Sequence, residues 1–193
     1  MRMNRNTMKT PLENGPHAGR VLPPEKHSIT DPETSTAVTL LTGYRCHNWH
    51  LYFTNSGWWD QDRRLLFTAE RQNQPNLYST SLESGEITQV TDLGVEPPLP
   101  DARRGPRPGI GFSTGFLHPH DNRFFFRAGH ALWSVDLHTY ELVHLWDLPE
   151  GWLPSGLSCT ADGRYVCTAV RRQLRECWPD FCDGYYSRIY RID

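Results

Sequence analysis

The chain holds 193 residues, 37% of them apolar and 22% charged, the balance of an ordinary globular protein. A formal charge of −2 supplies no basic field for nucleic acid, although Arg63-Arg64, Arg103-Arg104 and Arg171-Arg172 are local basic pairs. Residues 1–16 are polar without an apolar leader core, and no later run nears the roughly 20 apolar residues of a membrane-spanning helix; a cytoplasmic protein with neither nucleic acid nor membrane as partner is expected.

In chain order, residues 1–30 read as a polar, disordered segment. Residues 36–42 match the outer-strand pattern of residues 85–91, with nothing before them to supply the rest of a sheet, and so read as an orphan amino-terminal outer strand. A first four-stranded unit spans 43–95, with an inner strand at 51–57, then strands at 64–69, 76–82 and 86–91. Residues 96–108 carry five prolines and three arginines; proline lacks the donor a sheet ladder needs, so this is a loop between units. A second unit spans 109–148, with strands at 111–117, 123–128, 131–137 and 141–146. A third, truncated unit spans 149–193, with strands at 155–160, 164–170 and 188–193. Its insertion at 174–186, with Trp178, Phe181, Tyr185 and Tyr186, reads as either a satellite apolar cluster or part of a ligand rim.

The units are related by repetition. Asp62-Arg63-Arg64-Leu65-Leu66-Phe67, Asp121-Asn122-Arg123-Phe124-Phe125-Phe126 and Asp162-Gly163-Arg164-Tyr165-Val166-Cys167 share an Asp-x-Arg hairpin followed by three apolar residues. Asn122 and Gly163 tolerate positive φ, and the aspartate can bond backbone two residues on. The motif Leu77-Tyr78-Ser79-Thr80 recurs as Leu132-Trp133-Ser134-Val135 and again at Ile189-Tyr190-Arg191-Ile192. Short strands in units of this length, without helical periodicity, predict an all-β fold of antiparallel propeller blades. Arg64, Arg123 and Arg164, recurring once per unit, read as structural. Trp58, Trp133 and Trp152 read as packing between blades.

Cys46, Cys159, Cys167, Cys177 and Cys182 show no C-x-x-C spacing, so reduced thiols are expected, with Cys167 a small core residue. No nucleophile-elbow, phosphate-loop or dinucleotide signature is present.

The segment Cys46-His47-Asn48-Trp49-His50-Leu51-Tyr52-Phe53-Thr54-Asn55, with Gly57-Trp58, Asn76-Leu77-Tyr78 and Gly85-Glu86-Ile87-Thr88-Gln89-Val90-Thr91, resembles the opening of the oligogalacturonate lyase family. Pro149-Glu150-Gly151, Cys159 to Cys167 and Ser187 to Asp193 resemble the blades that follow. The resemblance implies a partial β-propeller of about three four-stranded antiparallel blades out of an expected seven. It also implies a divalent, manganese-type metal in the full-length family member, and β-elimination of short pectin-derived galacturonate oligomers. That chemistry removes the weakly acidic proton on C5 of a galacturonate while a cation neutralises the adjacent carboxylate. In the family the base and the metal cluster belong to later blades; none has a counterpart here, so the catalytic residue is unknown, no metal is expected for this chain, and the chain alone is expected to be inactive.

The remaining candidates for substrate binding are His47, His50 and Tyr52, at the entry to the first inner strand, and Arg45 and Arg71, whose guanidinium groups suit uronate carboxylates. His47 and His50, three apart, point to opposite faces of a straight strand unless a bulge realigns them. The alternative for each is a structural role. His118-Pro119-His120 reads as a turn, and His130, His138 and His144 carry no assigned chemistry. The rival to the lyase reading is a noncatalytic propeller module that binds a glycan or protein partner. A further consequence of incomplete blades is self-association through unpaired edges.

Overall fold

Phe124, Phe125 and Phe126 show how this chain builds layers: along a strand successive side chains leave opposite faces, and all three are buried. Phe124 and Phe126 pack toward the first sheet and Phe125 toward the third, so the middle sheet is covered on both sides. A computed structural model describes residues 12–94, 110–173 and 185–192.

Every described element is a strand and every pairing is antiparallel. No described helix is long and apolar enough to cross a membrane. In the first sheet the short strands β4 (Asn48–His50) and β5 (Trp58–Trp59) both pair with β6 (Arg64–Arg71). β6 pairs with β7 (Gln74–Ser81), β7 with β8 (Ile87–Gln89), and β1 (Val21–Leu22) adds to the outer edge. Gln72 and Asn73, both at positive φ, make the two-residue turn of the β6–β7 hairpin, a backbone twist that matches the twist of the strands. The second sheet has the order β12-β11-β10-β9, from β9 (Ile110–Leu117), β10 (Arg123–Ala128), β11 (Ala131–Asp136) and β12 (Leu142–Asp147). The third is β13 (Leu153–Cys159), β14 (Val166–Gln173) and β15 (Tyr185–Ile192).

The sheets stack face to face. Between the first and second lie Leu66, Leu77 and Val90 against Phe112, Phe124, Phe126 and Val135. Between the second and third lie Phe116, Phe125 and Leu132 against Trp152, Leu157, Val166 and Val170. The inner strand β9 also lies against β13 and β7. Consecutive antiparallel sheets stacked face to face, the second of them four-stranded, are the arrangement of propeller blades, as the repeats predict.

Four expectations are corrected. Residues 12–30 are not disordered: Gly15 N donates to Asp92 O, Gly19 N to Gln89 O and Gln89 N to Arg20 O, and β1 joins β8. Backbone bonds to a sheet edge hold this segment, and they leave no hydrophobic period to read. The strand at 36–42 is not an orphan. β3 (Ala37–Leu40) pairs with β2 (His27–Thr30) in an exposed hairpin whose turn is held by Asp31, which accepts the amides of Glu33 and Thr34. The inner strand expected at 51–57 is a loop, because His50 pairs with Phe67 and Trp58 with Leu65, leaving residues 51–57 opposite Leu66 alone. Trp58 is exposed, and the neighbouring Trp59 packs between the sheets instead. A one-residue slip flips every side chain to the other face.

The expected loop at 96–108 and residues 174–184 of the insertion lie outside the described residues. So do Cys177 and Cys182. Cys46, Cys159 and Cys167 are free thiols. Cys167 is half-buried rather than core. Burial is the leading cause raising the pKa of Cys46 and Cys159, which leaves both as unreactive thiols at neutral pH.

Candidate functional site

β4 is the inner edge of the first sheet and pairs on one side only. Along and beside it, Arg45, His47, Trp49, His50, Tyr52 and Phe53 are all exposed. Trp49 is 45% exposed, Tyr52 51% and Phe53 78%, an unusual outlay of aromatic surface for seven successive residues. The register explains the arrangement. Trp49 pairs with Thr68 and so faces the second sheet, where its ring stacks on His47 at 5.3 Å. His50 pairs with Phe67 and faces the other way. His47 and His50 therefore part to opposite faces, as strand parity demands, and His50 Nδ1 bonds the carbonyl of Leu51.

The loop at 51–57 is fixed at both ends of its course. Leu51 is buried, and Asn55 Nδ2 donates to Gly115 O of β9 at 2.8 Å, tying the loop to the inner strand of the second sheet. Tyr52 and Phe53 lie ring against ring at 4.4 Å on its outside. Arg45 is exposed, and among the described residues it makes no ion pair or hydrogen bond. This edge presents aromatic faces and one cation to solvent.

Arg71 does not join them, which corrects the expectation of a loop arginine free to bind uronate. β6 runs through Arg71, and its guanidinium is buried beneath the amino-terminal segment. Nη1 donates to Glu25 Oε1 at 2.7 Å and Nη2 to Oε2 at 3.2 Å, a two-pronged pair. The guanidinium lies 5.0 Å from the Tyr44 ring and 5.1 Å from that of Tyr78. Glu25 Oε2 also accepts the amides of Gly43 and Tyr44. Burial works to raise the Glu25 pKa, but the Arg71 hydrogen bonds, these amides and the Arg71 charge outweigh it, and the carboxyl is held below its usual range. Burial pushes the Tyr78 hydroxyl up to about 12, so it stays neutral.

His118 and His120 serve the packing of blades. His118 Nε2 lies 3.0 Å from Gly163 O and His120 Nε2 3.2 Å from Ala161 O, latching the second sheet to the turn of the third. Arg64 likewise serves its blade: Nε donates to Ser79 Oγ and Nη2 to Thr88 Oγ1, and Arg123 repeats the pattern on Ser134. A cleft of about 180 Å³ beside Arg64, lined also by Trp59, His138 and Tyr140, lies at the opposite end of β6 from Arg71. Among the described residues no three His, Cys, Asp or Glu side chains come together to hold a metal ion. The described residues therefore do not fit a resident divalent cation.

One residue escaped the sequence reading. Arg127 interrupts the apolar run Phe124-Phe125-Phe126-Arg127-Ala128 and pairs across the ladder with Leu132, on the face turned to the third sheet. A charge inside an apolar strand was the signal available.

No protein-family model matches the chain. Two curated proteins do: the oligogalacturonate lyase of Dickeya dadantii (strain 3937), 28% identical over 188 residues, and the oligogalacturonide lyase of Pectobacterium atrosepticum, 28% identical over 193 residues. These alignments take in 86% and 91% of this chain but 42% and 44% of the relatives, so the chain spans less than half the length of the curated proteins it matches. Among solved structures, an oligogalacturonate lyase in complex with manganese superposes with a TM-score of 0.67 at 24% identity, over 83% of this chain and 39% of that one. The oligogalacturonate lyase of Vibrio parahaemolyticus gives 0.67 at 21% identity, over 80% and 38%. In its sequence, and in the stacked sheets that carry it, this chain is similar to the oligogalacturonate lyases.

Proposed function

We propose that this chain takes part in the β-elimination of short, pectin-derived galacturonate oligomers in the cytoplasm, and that its contribution is to bind the sugar acid along the inner edge of the first sheet. The supporting observation is the exposed row Arg45, His47, Trp49, Tyr52 and Phe53 on an anchored edge, in a chain similar to lyases of that substrate. Aromatic faces suit the apolar faces of pyranose rings, and a guanidinium suits their carboxylates. No described residue is assigned as the base that takes the C5 proton. A metal, where the whole lyase holds one, would supply charge neutralisation of the carboxylate beside that carbon.

The second reading, a noncatalytic module that binds a glycan or a protein partner, draws on the same edge, because stacking and ion pairing need neither metal nor base. Calorimetric titration of the folded chain with digalacturonate and with the neutral disaccharide of galactose tests the first reading. Heat with digalacturonate alone supports it, and rising ultraviolet absorbance of the unsaturated product in the presence of manganese would assign catalysis to the chain as well. Equal heat with the neutral sugar favours the noncatalytic module, and no heat from a folded sample contradicts sugar-acid binding at this edge.

A further inference from the structure

Arg64 has one guanidinium nitrogen to spare. Its Nε donates to Ser79 Oγ at 3.0 Å and its Nη2 to Thr88 Oγ1 at 2.9 Å, with the guanidinium 5.6 Å from the Trp59 ring. Nη1 has no acceptor among the described residues, and it is not sealed from solvent. Arg123, in the matching place of the second sheet, has the carboxylate of Asp121 3.8 Å from its Nε. The matching Asp62 makes no ion pair with Arg64. It stands exposed at the end of three successive left-handed residues, Asp60, Gln61 and Asp62, at φ 54°, 55° and 60°.

The cleft of about 180 Å³ lies beside this guanidinium and has room for about six waters. Arg64, Ser79 and Thr88 line it from the first sheet, and His138 and Tyr140, on the turn between β11 and β12, line it from the second. Ser79 Oγ accepts from Trp59 Nε1 as well as from Arg64, so both hydroxyls turn their own hydrogens away from the cation, and neither hydrogen meets a described acceptor. The cleft thus holds a cation and two hydroxyl donors with nothing to accept them. Tyr140 N donates to Asp136 O as Gly85 N does to Ser81 O, so the two share one turn position, at φ 62° and 78°. A bulky residue is an outlier in that conformation, and here it sets an aromatic ring at the cleft. Asp60 also lines the cleft, with its Oδ1 2.7 Å from Arg63 Nη2. Arg63, Arg64 and Asp60 together leave a single positive charge, which one carboxylate balances and a dianion overshoots. We infer that this cleft binds a small monocarboxylic acid, its carboxylate on Arg64 Nη1 with the Ser79 and Thr88 hydroxyls as further donors, and that Asp60 turns away doubly charged anions. The site stands apart from the inner edge, because β4 pairs with residues 67–69 of β6 and Arg64 begins that strand at its other end. It does not rest on the proposed function.

The test follows the indole N–H resonance of Trp59, whose bond to Ser79 places it at the site, while the folded full chain is titrated at constant ionic strength with acetate, sulfate or glycerol. Acetate should move the resonance saturably, and sulfate and glycerol should leave it nearly in place. Thr88→Val keeps the shape of the side chain and removes one donor, so acetate should bind about fivefold more weakly, the worth of one hydrogen bond. Arg64→Met should weaken it at least tenfold, with the unfolding temperature read beside it. Asp60→Asn suits the left-handed backbone and removes the negative charge, so this variant should bind acetate more tightly and admit sulfate. If Arg64→Met does not fold, the opposed effects of Thr88→Val and Asp60→Asn decide the matter. The Trp49 resonance reports the inner edge separately, so failure at one place leaves the other reading standing. No saturable shift with acetate, an equal response to glycerol, or natural affinity in both Thr88→Val and Asp60→Asn would overturn the inference.

Discussion

Replacing Arg71 with methionine is expected to lower the unfolding free energy by about 3 kcal/mol, the low end of the range for removing one partner of a buried ion pair. The low end applies because the Glu25 side chain keeps 19% of its surface in water, whereas Arg71 keeps 9%. The loss has two parts. Glu25 would remain against the sheet without its cation, and the guanidinium that fills the gap between Tyr44 and Tyr78 would be gone. Since this pair fastens the residues before the first sheet onto β6, the variant should also lose protection at the amides of Gly43 and Tyr44, read by hydrogen exchange. The pH dependence has a definite sign. The folded pKa of Glu25 is held below its ordinary 4.5, so its stabilisation is complete above that value and lost as pH falls through the folded pKa. Arg71→Met should therefore flatten the acid limb of the stability curve. A change within about 0.5 kcal/mol, as for an ordinary surface substitution, would show that the pair does not hold the segment down.

Phe126→Ala should cost more, about 3–5 kcal/mol in denaturant unfolding. Phe126 is wholly buried between the first two sheets, with its ring 4.9 Å from that of Phe112 on the adjacent strand and near Phe124 on its own. Sheets on both sides leave little room to relax, so the cavity persists. The same residue tests the architecture. If the sheets are blades stacked on a shared seam, the first and second should lose stability together, and tryptophan signals from Trp59 and Trp133, both in that seam, should report one common shift. A loss below about 1 kcal/mol would mean that the seam is not a packed core.

How much of this was legible varies with the kind of interaction that builds each part. The second sheet was read to within about a residue at every strand, because Asp121-Asn122 marks the turn and three phenylalanines mark the buried strand. The first inner edge departs from the expected strand: Leu51 and Gly57 are buried as strand residues would be, yet the segment between them leaves the ladder. Trp58 and Trp59 are indistinguishable by composition, and only the register with Arg64 and Leu65 decides which one enters the seam. Polarity is the only signal that residues 12–30 carry, and it points to disorder. Their attachment comes from backbone bonds and from the Glu25 carboxylate, neither of which has a period in the sequence. Arg71 shows the same limit from the side of function. An arginine's role depends on whether a carboxylate waits nearby, and that partner lies 46 residues away for Arg71. His47, His50 and Tyr52 are expected at the entry to an inner strand; His50 lies on β4 at the inner edge, His47 just before it and Tyr52 in the loop that follows.

A sugar acid held at that edge is read directly by the indole N–H resonance of Trp49. Titrating the folded chain with digalacturonate should move this resonance saturably, while the neutral disaccharide of galactose leaves it nearly in place. A Trp49 signal that stays fixed in a well-dispersed spectrum, or that follows the neutral sugar equally, would contradict the account.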